Sequence, residues 1–530
     1  MRRRSPSKPA PDPSVTDAAL EALNADELRT FIRDMMPWFD DALLARFTSE
    51  VVDRAARNAS EWTPQSPADN LVDEIEGFAE AAKRIGYAEP WEVDAYLREG
   101  SSAFLSKRYP GAVKIFEALL IPIARAEIDL GQHEMVEEVL GVDPADCAAQ
   151  YVVSVYMTSP TKERGESVLS AIDAVHGMGR MWEPLRELER VALEPLPELD
   201  AFLSQWRRLV QTRVENQRRS DWDSETDRWL REVVRRTEGI SGLADVARAS
   251  RRTGDLQAWC RALVEAGDWS AALEAHIEAA ELVQNNEHVR GHLLDGAALA
   301  AQELGRGDLA KHLEHAWRQA PSMVRLRRWL GTATTKKDID VLVAEACAAC
   351  PKDANRQQAL LHVLGEEFVA AAHLLRNAPG LDWSRREHPG HLLFPLFVGL
   401  LGTGDVEEWF VEEDESEAPL ARLRDPDAPQ LGTPPLVVLL EVAGVAQPDD
   451  LATRSKIFSA LRCAAEQRLV GVTENKRRRH YGHAALLAIA CARVDGSPEG
   501  GAWLARLRDR YRRFSALQRE FKAIGGRRQP

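Results

Sequence analysis

Cysteine is scarce in this chain, at 6 residues in 530. A disulfide framework would need more cysteines in a chain this long, so the sequence excludes one. Most of the six stand among Ala, Leu and Val, which predicts buried, reduced thiols in a cytoplasmic protein. Cys347 and Cys350 are the one close pair, and they lack two further ligands at the short spacing of a zinc site. We therefore predict no metal and no cofactor, and expect this pair to pack on a helix face; a metal or redox site is the less favoured alternative.

Long apolar runs are also missing. The longest, residues 392–401, is about half as long as a bilayer-spanning helix and contains Pro395. The basic residues 1–9 are not followed by an apolar stretch, so we expect no secretory signal. The sequence therefore predicts a cytoplasmic protein without membrane contact.

Catalytic motifs are absent as well. The sequence has no Walker loop, no Gly-x-Gly-x-x-Gly, no Gly-x-Ser-x-Gly and no His-Glu-x-x-His. Two histidine pairs, His388 with His391 and His480 with His483, are short of the ligands that a metal site requires. Most acids and bases are expected at exposed helical positions, without the apolar setting that perturbs a pKa. We predict that the chain is not an enzyme; the alternative, an unfamiliar helical active site, would need a deep pocket with buried ionisable groups.

The alternating apolar pattern of β-strands is nearly missing, and apolar residues recur at intervals near 3.6 instead. Asn24 is a suitable N-cap for the first helix. The apolar residues of that helix fall on one face: Leu28, Phe31, Ile32 and Met35. The pattern predicts an all-α fold, and the length predicts about two to four helical units.

Helical hairpins recur along the chain. In residues 289–321, two predicted helices flank a Gly-containing turn at residues 305–308. Residues 267–282 have the pattern of the second helix of such a hairpin. A third match, a hairpin, lies near residues 94–120. Small residues stand where the helices of residues 289–321 would cross: Ala297, Ala298, Ala310 and Ala316. These segments resemble tetratricopeptide repeats. The resemblance implies an α-solenoid with a concave binding surface; an irregular array of Ala-rich helices is the alternative.

A second resemblance involves residues 387–395, which include His388-Pro-Gly-His391, and residues 481–488. Together with the N-terminal helices, these segments resemble the helical region of bacterial SWIM zinc-finger proteins. The zinc motif of that family, Cys-x-Cys followed by Cys-x-His, is absent here. The resemblance therefore implies the scaffold alone, without zinc.

Acidic residues and prolines interrupt the helical pattern in residues 411–435. We expect an accessible linker there, and a regulatory or protease-sensitive site is the sharper alternative. The sequence thus predicts five segments: a disordered basic, proline-containing arm (1–15), an N-terminal helical array with one tetratricopeptide-like hairpin near 94–120 (16–235), a tetratricopeptide-like helical array (236–410), the linker (411–435) and a basic helical C-terminal unit (436–530).

Charge is unevenly distributed. Residues 452–530 contain 18 Lys/Arg against 6 Asp/Glu (+12), and residues 1–451 contain 50 against 77 (−27), which sum to the net charge of −15. Residues 502–524 are predicted to form one last helix with arginines flanking an apolar seam. The seam consists of Leu504, Leu507, Tyr511, Phe514, Leu517 and Phe521. The candidate anion-binding or partner-binding residues are Lys476, Arg477, Arg478, Arg479, Arg506, Arg510 and Arg513.

Three interpretations of these basic residues remain open: a solvated face, docking on the acidic array of this or another copy, or binding to phosphates of RNA or DNA. Because the aromatic residues of the last helix belong to its seam, base stacking is disfavoured. The leading hypothesis is a non-catalytic scaffold or adaptor that binds another protein through its helical-repeat surface, where carboxylates favour a basic partner segment. The alternative is a nucleic-acid-associated protein that holds phosphate with its C-terminal helices.

Overall fold

The computed structural model describes residues 20–58, 63–64, 69–133, 135–179, 181–217, 223–283, 286–385, 387–402 and 429–525. Over these ranges the chain is helical and contains no β-strand; one isolated bridge joins Tyr87 to Asp129. The predicted all-α class is confirmed for them. The predicted arm, residues 1–15, lies outside the described residues, as does most of the predicted linker, residues 411–428.

The chain divides into two compact units, residues 1–243 and 244–530. The helices of the first unit, the last of which runs past residue 243, are α1 (Ala25–Met35), α2 (Asp41–Asn58), α3 (Asp69–Ile85), α4 (Pro90–Leu105), α5 (Tyr109–Ala124), α6 (Pro144–Thr158), α7 (Arg164–Ala174), α8 (Pro184–Val191), α9 (Leu199–Gln217) and α10 (Glu225–Ser250). Gly239 kinks α10 with a φ of 68° and a ψ of −152°, a conformation that glycine adopts readily. This kink lies between the boundary predicted at residues 235–236 and the division at residue 243.

Helix α1 has the start that its sequence predicts. The Asn24 side chain accepts the backbone N–H groups of Asp26 and Glu27, each at 3.0 Å, and the Glu27 carboxylate accepts the Asn24 N–H at 2.9 Å. This reciprocal arrangement is a capping box. However, no residue of α1 is buried against the described part of the chain, although Phe31 and Ile32 are apolar. The Trp38 side chain just beyond is 79% exposed.

Helices α4 and α5 form the hairpin expected near residues 94–120. They pass each other so closely at Gly100 that a Cβ atom there would lie 2.8 Å from the Phe116 ring. The side chains of Phe104 and Phe116 fill the hairpin and are fully buried. A small residue at a helix crossing thus lets two backbones approach, as the sequence pattern predicts for this segment.

The second unit begins with helices that each contact the next along the chain. Its helices are α11 (Thr253–Glu265), α12 (Trp269–Leu282), α13 (Glu287–Glu303), α14 (Leu309–Gln319), α15 (Met323–Leu330), α16 (Lys336–Ala349), α17 (Asn355–Leu364), α18 (Phe368–Asn377), α19 (Gly390–Leu401), α20 (Leu436–Ala443), α21 (Leu451–Glu474), α22 (Tyr481–Asp495), α23 (Pro498–Arg510) and α24 (Ser515–Gly525). Within this described part, no helix combines the length and apolar content that a bilayer span needs.

Helices α12 and α13 make the tightest crossing of this series. The Asp268 side chain caps α12 by accepting the Ala271 N–H at 3.0 Å. At the crossing, a Cβ atom on Gly296 would lie 2.5 Å from Nδ1 and 2.6 Å from Nε2 of the His276 ring. His276 is buried, and this burial lowers its pKa to about 4. The histidine is therefore packed as a neutral ring under a glycine.

The C-terminal helices belong to the same core as α14 to α19. One continuous set of buried apolar residues runs from Ala298 to Phe521, and α21 packs on α18 although the two are far apart in sequence. Before α20, the carbonyl oxygen of Pro434 accepts hydrogen bonds from Arg327 on α15, the shorter at 2.6 Å. Of the residues predicted as a C-terminal unit, 436–530, the described ones, 436–525, are therefore packed into the second unit.

The prediction of one last helix over residues 502–524 is wrong. Helix α23 ends at Arg510, and α24 begins at Ser515 after a turn. The Gln518 side chain stabilises this break because its Nε2 donates to the carbonyl oxygens of Arg508 (2.9 Å) and Tyr511 (3.2 Å), which a continuous helix would use itself. Both short helices pack on α22, and four of the six seam residues are buried: Leu507, Tyr511, Leu517 and Phe521.

Candidate functional site

The first group of predicted basic residues, Lys476 to Arg479, forms the turn between α21 and α22. Asn475 ends α21 and donates from its side chain to the Gly471 carbonyl at 2.9 Å. Lys476 adopts a φ of 53°, which reverses the chain, and a short 3₁₀ turn at Arg478–His480 leads into α22. All four basic side chains are exposed. We call these residues the basic turn.

The second predicted group, Arg506, Arg510 and Arg513, is split by the break after α23. Arg506 and Arg510 lie on α23, whereas Arg513 lies in the turn before α24, so the three do not lie on one continuous helix as predicted. All three side chains are exposed. None of the seven predicted residues forms an ion pair with any residue within the described ranges.

The two groups are neighbours in the fold. The side chain of Tyr511, next to Arg510, contacts the side chain of Thr473, three residues before Lys476. On the other side of the basic turn, a Cβ atom on Gly482 would lie 3.3 Å from the Glu520 carboxylate of α24. The structure therefore brings the basic turn to the same end of the unit as the α23–α24 turn.

A second surface is an open groove of about 920 Å³ that the sequence did not predict. Glu366 and Glu367, in the turn between α17 and α18, lie on one side, and Asp449 and Asp450, before α21, lie on the other. The apolar lining comes mainly from Phe368, Val369 and Leu374, and the groove also includes His362, His373 and Thr453. We call this the acidic groove.

The carboxylates of the acidic groove are partly paired. The Lys336 ammonium lies 3.3 Å from Glu366, and Nδ1 of His362 lies 2.6 Å from Glu367. Asp450 caps α21 by accepting the N–H groups of Ala452 and Thr453, and hydrogen bonds from Thr453 hold the pKa of its carboxyl below the usual value. Asp449 is exposed and forms no ion pair with any described residue. The groove therefore presents negative charge at neutral pH.

No family model and no curated protein matches the chain. The resemblances to tetratricopeptide repeats and to the helical region of SWIM zinc-finger proteins therefore stay predictions. The charge and geometry of the basic turn and of the acidic groove are the features that bear on function.

The histidine pairs that the sequence analysis treated separately meet in the core of the second unit. His388, His391 and His483 surround Trp383, with ring centroids 4.6, 5.6 and 4.9 Å from its ring. Burial lowers the pKa values of His388 and His483 to about 4. These two histidines and His276 are exceptions to the expectation that most acids and bases lie at exposed positions, because packing between residues distant in sequence buries them.

The guanidinium of Arg468 adjoins this histidine cluster and is also buried. Its Nη1 donates to the carbonyl oxygens of Gly380 (3.0 Å) and Leu381 (3.4 Å). Arg468 therefore ties α21 to the loop after α18. Within the described ranges, no set of three or more His, Cys, Asp or Glu side chains is arranged to hold a metal ion.

The expectation of buried thiols is wrong for half of the cysteines. Cys147, Cys260 and Cys491 are buried, but Cys347 is exposed, and Cys350 and Cys463 are intermediate. Cys347 lies on an outer face of α16 and is not packed as expected, whereas Cys350, which ends that helix, is half-buried and packs against the core. Desolvation raises the pKa of Cys350 to about 11 and also raises that of Cys347, which keeps both as weakly nucleophilic thiols at neutral pH.

A smaller cavity of about 210 Å³ lies in the first unit beside Arg98, Cys147 and Gln150. The carboxylate of Asp94 nearby already bonds Arg98 (2.5 Å) and the Val142 N–H (2.7 Å). Burial raises the pKa of the Cys147 thiol well above its usual range. Asp94 thus joins Arg98 of α4 to the segment before α6, and the protonated Cys147 thiol is a poor nucleophile.

Proposed function

We propose that this chain is a non-catalytic protein-interaction scaffold that binds a partner segment carrying basic and apolar side chains in the acidic groove. The observation that carries this proposal is the combination of charge and apolar surface in one open groove. Four carboxylates line it, with two lysines, Lys336 and Lys456, and two histidines near them, so negative charge remains in excess. Val369 is 42% exposed among them.

Charge complementarity favours a basic partner. Exposed ion pairs such as Lys336–Glu366 contribute only about 0–1 kcal/mol, so a partner's lysine or arginine can replace the internal cation at little cost. Asp449 forms no ion pair with any described residue, so a partner's cation can pair with it without displacing another cation. Opposite charges at the rim mainly raise the association rate and select the partner.

The apolar lining supplies the contact that charge alone does not. Phe368 is buried at the start of α18, and Val369 and Leu374 extend the lining along that helix. Apolar side chains of a partner that cover such surface contribute about 25 cal/mol for each Å² removed from water. An amphipathic helix with lysines on its flanks has the matching chemistry.

The wider architecture supports the same role. We propose that the helical hairpins stack as tetratricopeptide-like repeats in an α-solenoid, since the α4–α5 and α12–α13 pairs place glycine at their crossings as such repeats do. The scaffold would act in the cytoplasm. The engaged ionisable groups beside the smaller cavity, together with the high pKa of its thiol, favour binding over catalysis.

The test uses the full chain and an 18-residue fluorescent helical peptide of lysine and leucine, with a peptide of glutamate and leucine as the charge control. We expect the Lys/Leu peptide alone to bind at low salt. Asp449→Lys replaces an attraction of about 1 kcal/mol with a repulsion of similar size, which weakens binding roughly tenfold or more. Asp340→Lys, the same change at an exposed site outside the groove, should leave affinity nearly unchanged.

A second pair of variants tests the apolar contact. Val369→Ser should weaken binding of the Lys/Leu peptide, whereas Val341→Ser, at a valine that is 52% exposed on α16, should not. Equal affinity for the two peptides would refute the proposal. Equal effects of each groove variant and its control would also refute it, because the peptide would then bind elsewhere on the acidic chain.

A further inference from the structure

A separate surface at the C-terminal end of the second unit combines positive charge with an exposed aromatic ring. Arg510 ends α23, and the turn that leads to α24 carries Arg512 and Arg513, followed by Phe514. Phe514 is 37% exposed, and its ring meets the buried Tyr511 ring edge-on with centroids 5.9 Å apart. The sequence predicts Phe514 on the apolar seam of one continuous helix, and the break in that helix leaves its ring exposed.

We propose that the basic turn and the α23–α24 turn together bind single-stranded nucleic acid, with arginines on successive phosphates and an unpaired base stacked on Phe514. This inference is independent of the acidic groove and concerns a different ligand. It depends on three properties of the surface: the two turns adjoin, their cations are available, and the α23–α24 turn carries an exposed aromatic ring.

The two turns adjoin because of the contact between Tyr511 and Thr473. Tyr511 is buried, so it fixes the α23–α24 turn against the end of α21. The basic turn starts at Lys476, directly after that end. A nucleic acid strand that passes Phe514 can therefore contact cations of both turns.

The cations are available to a ligand. Lys476, Arg477 and Arg478 are exposed and have no ion pair within the described ranges, and the same holds for Arg510 and Arg513. Arg479 donates to the His480 ring at 3.1 Å, which leaves its charge uncompensated. The nearby carboxylates are Glu466, Glu474, Asp509 and Glu520; Glu466 accepts a hydrogen bond from Trp503, and Asp509 is 3.5 Å from Arg512. Cations therefore outnumber carboxylates across the two turns.

The exposed ring selects for unpaired bases. In a duplex the base faces are stacked on each other and cannot reach Phe514, whereas a single strand can present one. Phosphate contacts without stacking would treat a single strand, a duplex and other polyanions alike. Phe514 thus distinguishes this surface from a general anion-binding patch.

The experiment measures fluorescence anisotropy of labelled U₁₅ RNA and dT₁₅ with the full chain, because the C-terminal helices share their core with α14 to α19. We expect binding at 50 mM salt. With about four phosphate contacts, the single-strand slope of about −0.7 per contact predicts a roughly fiftyfold loss of affinity at 200 mM salt. A 15-base-pair duplex should bind more weakly than either single strand.

Two matched pairs of variants locate the site. Changing Arg477, Arg478 and Arg479 to Glu should abolish binding. The control variant replaces three exposed lysines elsewhere in the second unit with Glu, which gives the same change in net charge, and it should retain most of the affinity. These lysines are Lys311, Lys337 and Lys352. Circular dichroism and thermal unfolding check that both variants stay folded.

Variants of the aromatic residue test the stacking. Phe514→Ala should weaken single-strand binding about fivefold to a hundredfold and leave duplex binding unchanged. Phe514→Tyr should keep the affinity, since it keeps a stacking face, and Val470→Ala, at another exposed apolar side chain, should have no effect.

Four results would overturn the proposal. They are no binding at 50 mM salt, equal loss of affinity in the two triple variants, no effect of Phe514→Ala, and binding to vesicles of anionic phospholipid but not to U₁₅. The Asp449→Lys variant of the acidic groove should bind U₁₅ as the unmodified chain does. The two proposals can therefore fail separately.

Discussion

Replacing Gly296 with alanine tests the packing of the α12–α13 crossing. In an open helix, Gly→Ala is stabilising by up to about 1 kcal/mol. At this position the added methyl carbon would stand less than 3 Å from several atoms of the buried His276 ring. Overpacking of this kind costs about 1–3 kcal/mol, and several simultaneous clashes place it at the upper end. We therefore expect a net destabilisation of about 2 kcal/mol.

The assay is thermal unfolding followed by calorimetry. A loss of about 2 kcal/mol lowers the transition temperature of a unit of this size by roughly 4–8 °C. Gly501→Ala in α23 is the matched control, because a Cβ atom there meets no atom within 4 Å. That variant should be neutral or slightly more stable.

A second background makes the test sharper. In a His276→Ala chain the ring is gone, so Gly296→Ala should become stabilising by up to about 1 kcal/mol. The coupling between the two positions is then about 3 kcal/mol. If Gly296→Ala has the same effect with and without the ring, contact between these two residues does not limit the packing, and the reasoning is refuted.

Three further predictions concern charge and burial. Asp295→Ala removes the carboxylate that lies 2.7 Å from the buried Arg325 guanidinium, and the free energy of unfolding in urea should fall by about 3–5 kcal/mol. Glu314→Ala removes an exposed ion pair with Arg318, and the same free energy should fall by less than about 1 kcal/mol. Because burial lowers the pKa of His483 to about 4, the unfolded chain binds a proton below pH 6.5 that the folded chain does not. Stability should therefore fall as pH drops from about 6.5 to about 4, and the fall should be shallower in His483→Gln. Phe31→Ser should change the unfolding free energy by less than about 0.5 kcal/mol, since that side chain is exposed.

Each of these three predictions would be contradicted by a specific result. Similar costs for the two acidic variants would mean that the buried pair is not special. An unchanged pH slope in the histidine variant would place the proton uptake elsewhere. A large loss in Phe31→Ser would show that α1 is covered in solution.

Local rules account for what the sequence predicted correctly. The all-α class follows from apolar periodicity, and the start of α1 follows from an N-cap and an acidic residue three positions later, which act within one turn of helix. Such features depend on residues that are close in the chain.

The features that the sequence did not reveal depend on distant residues. Apolar spacing continues without interruption through residues 511–514, so the end of α23 is visible only in the hydrogen bonds of Gln518. The acidic groove joins Glu367 to Asp449, which no spacing rule connects. The histidine cluster likewise needs α21 and α22 to pack against α19. Solvent exposure of Phe514 follows from the same missed break.

The core shared by residues on both sides of positions 403–428 has an evolutionary consequence. Helices α18 and α19 bury their apolar faces partly on α21, α19 also contacts α22, and α17 contacts α20. A gene shortened before codon 429 would leave the apolar faces of α18 and α19 exposed. A gene beginning after codon 402 would leave α21 and α22 without the helices on which they pack. Selection therefore acts on the two segments together, and recombination within codons 403–428 would separate residues that must be inherited as one set.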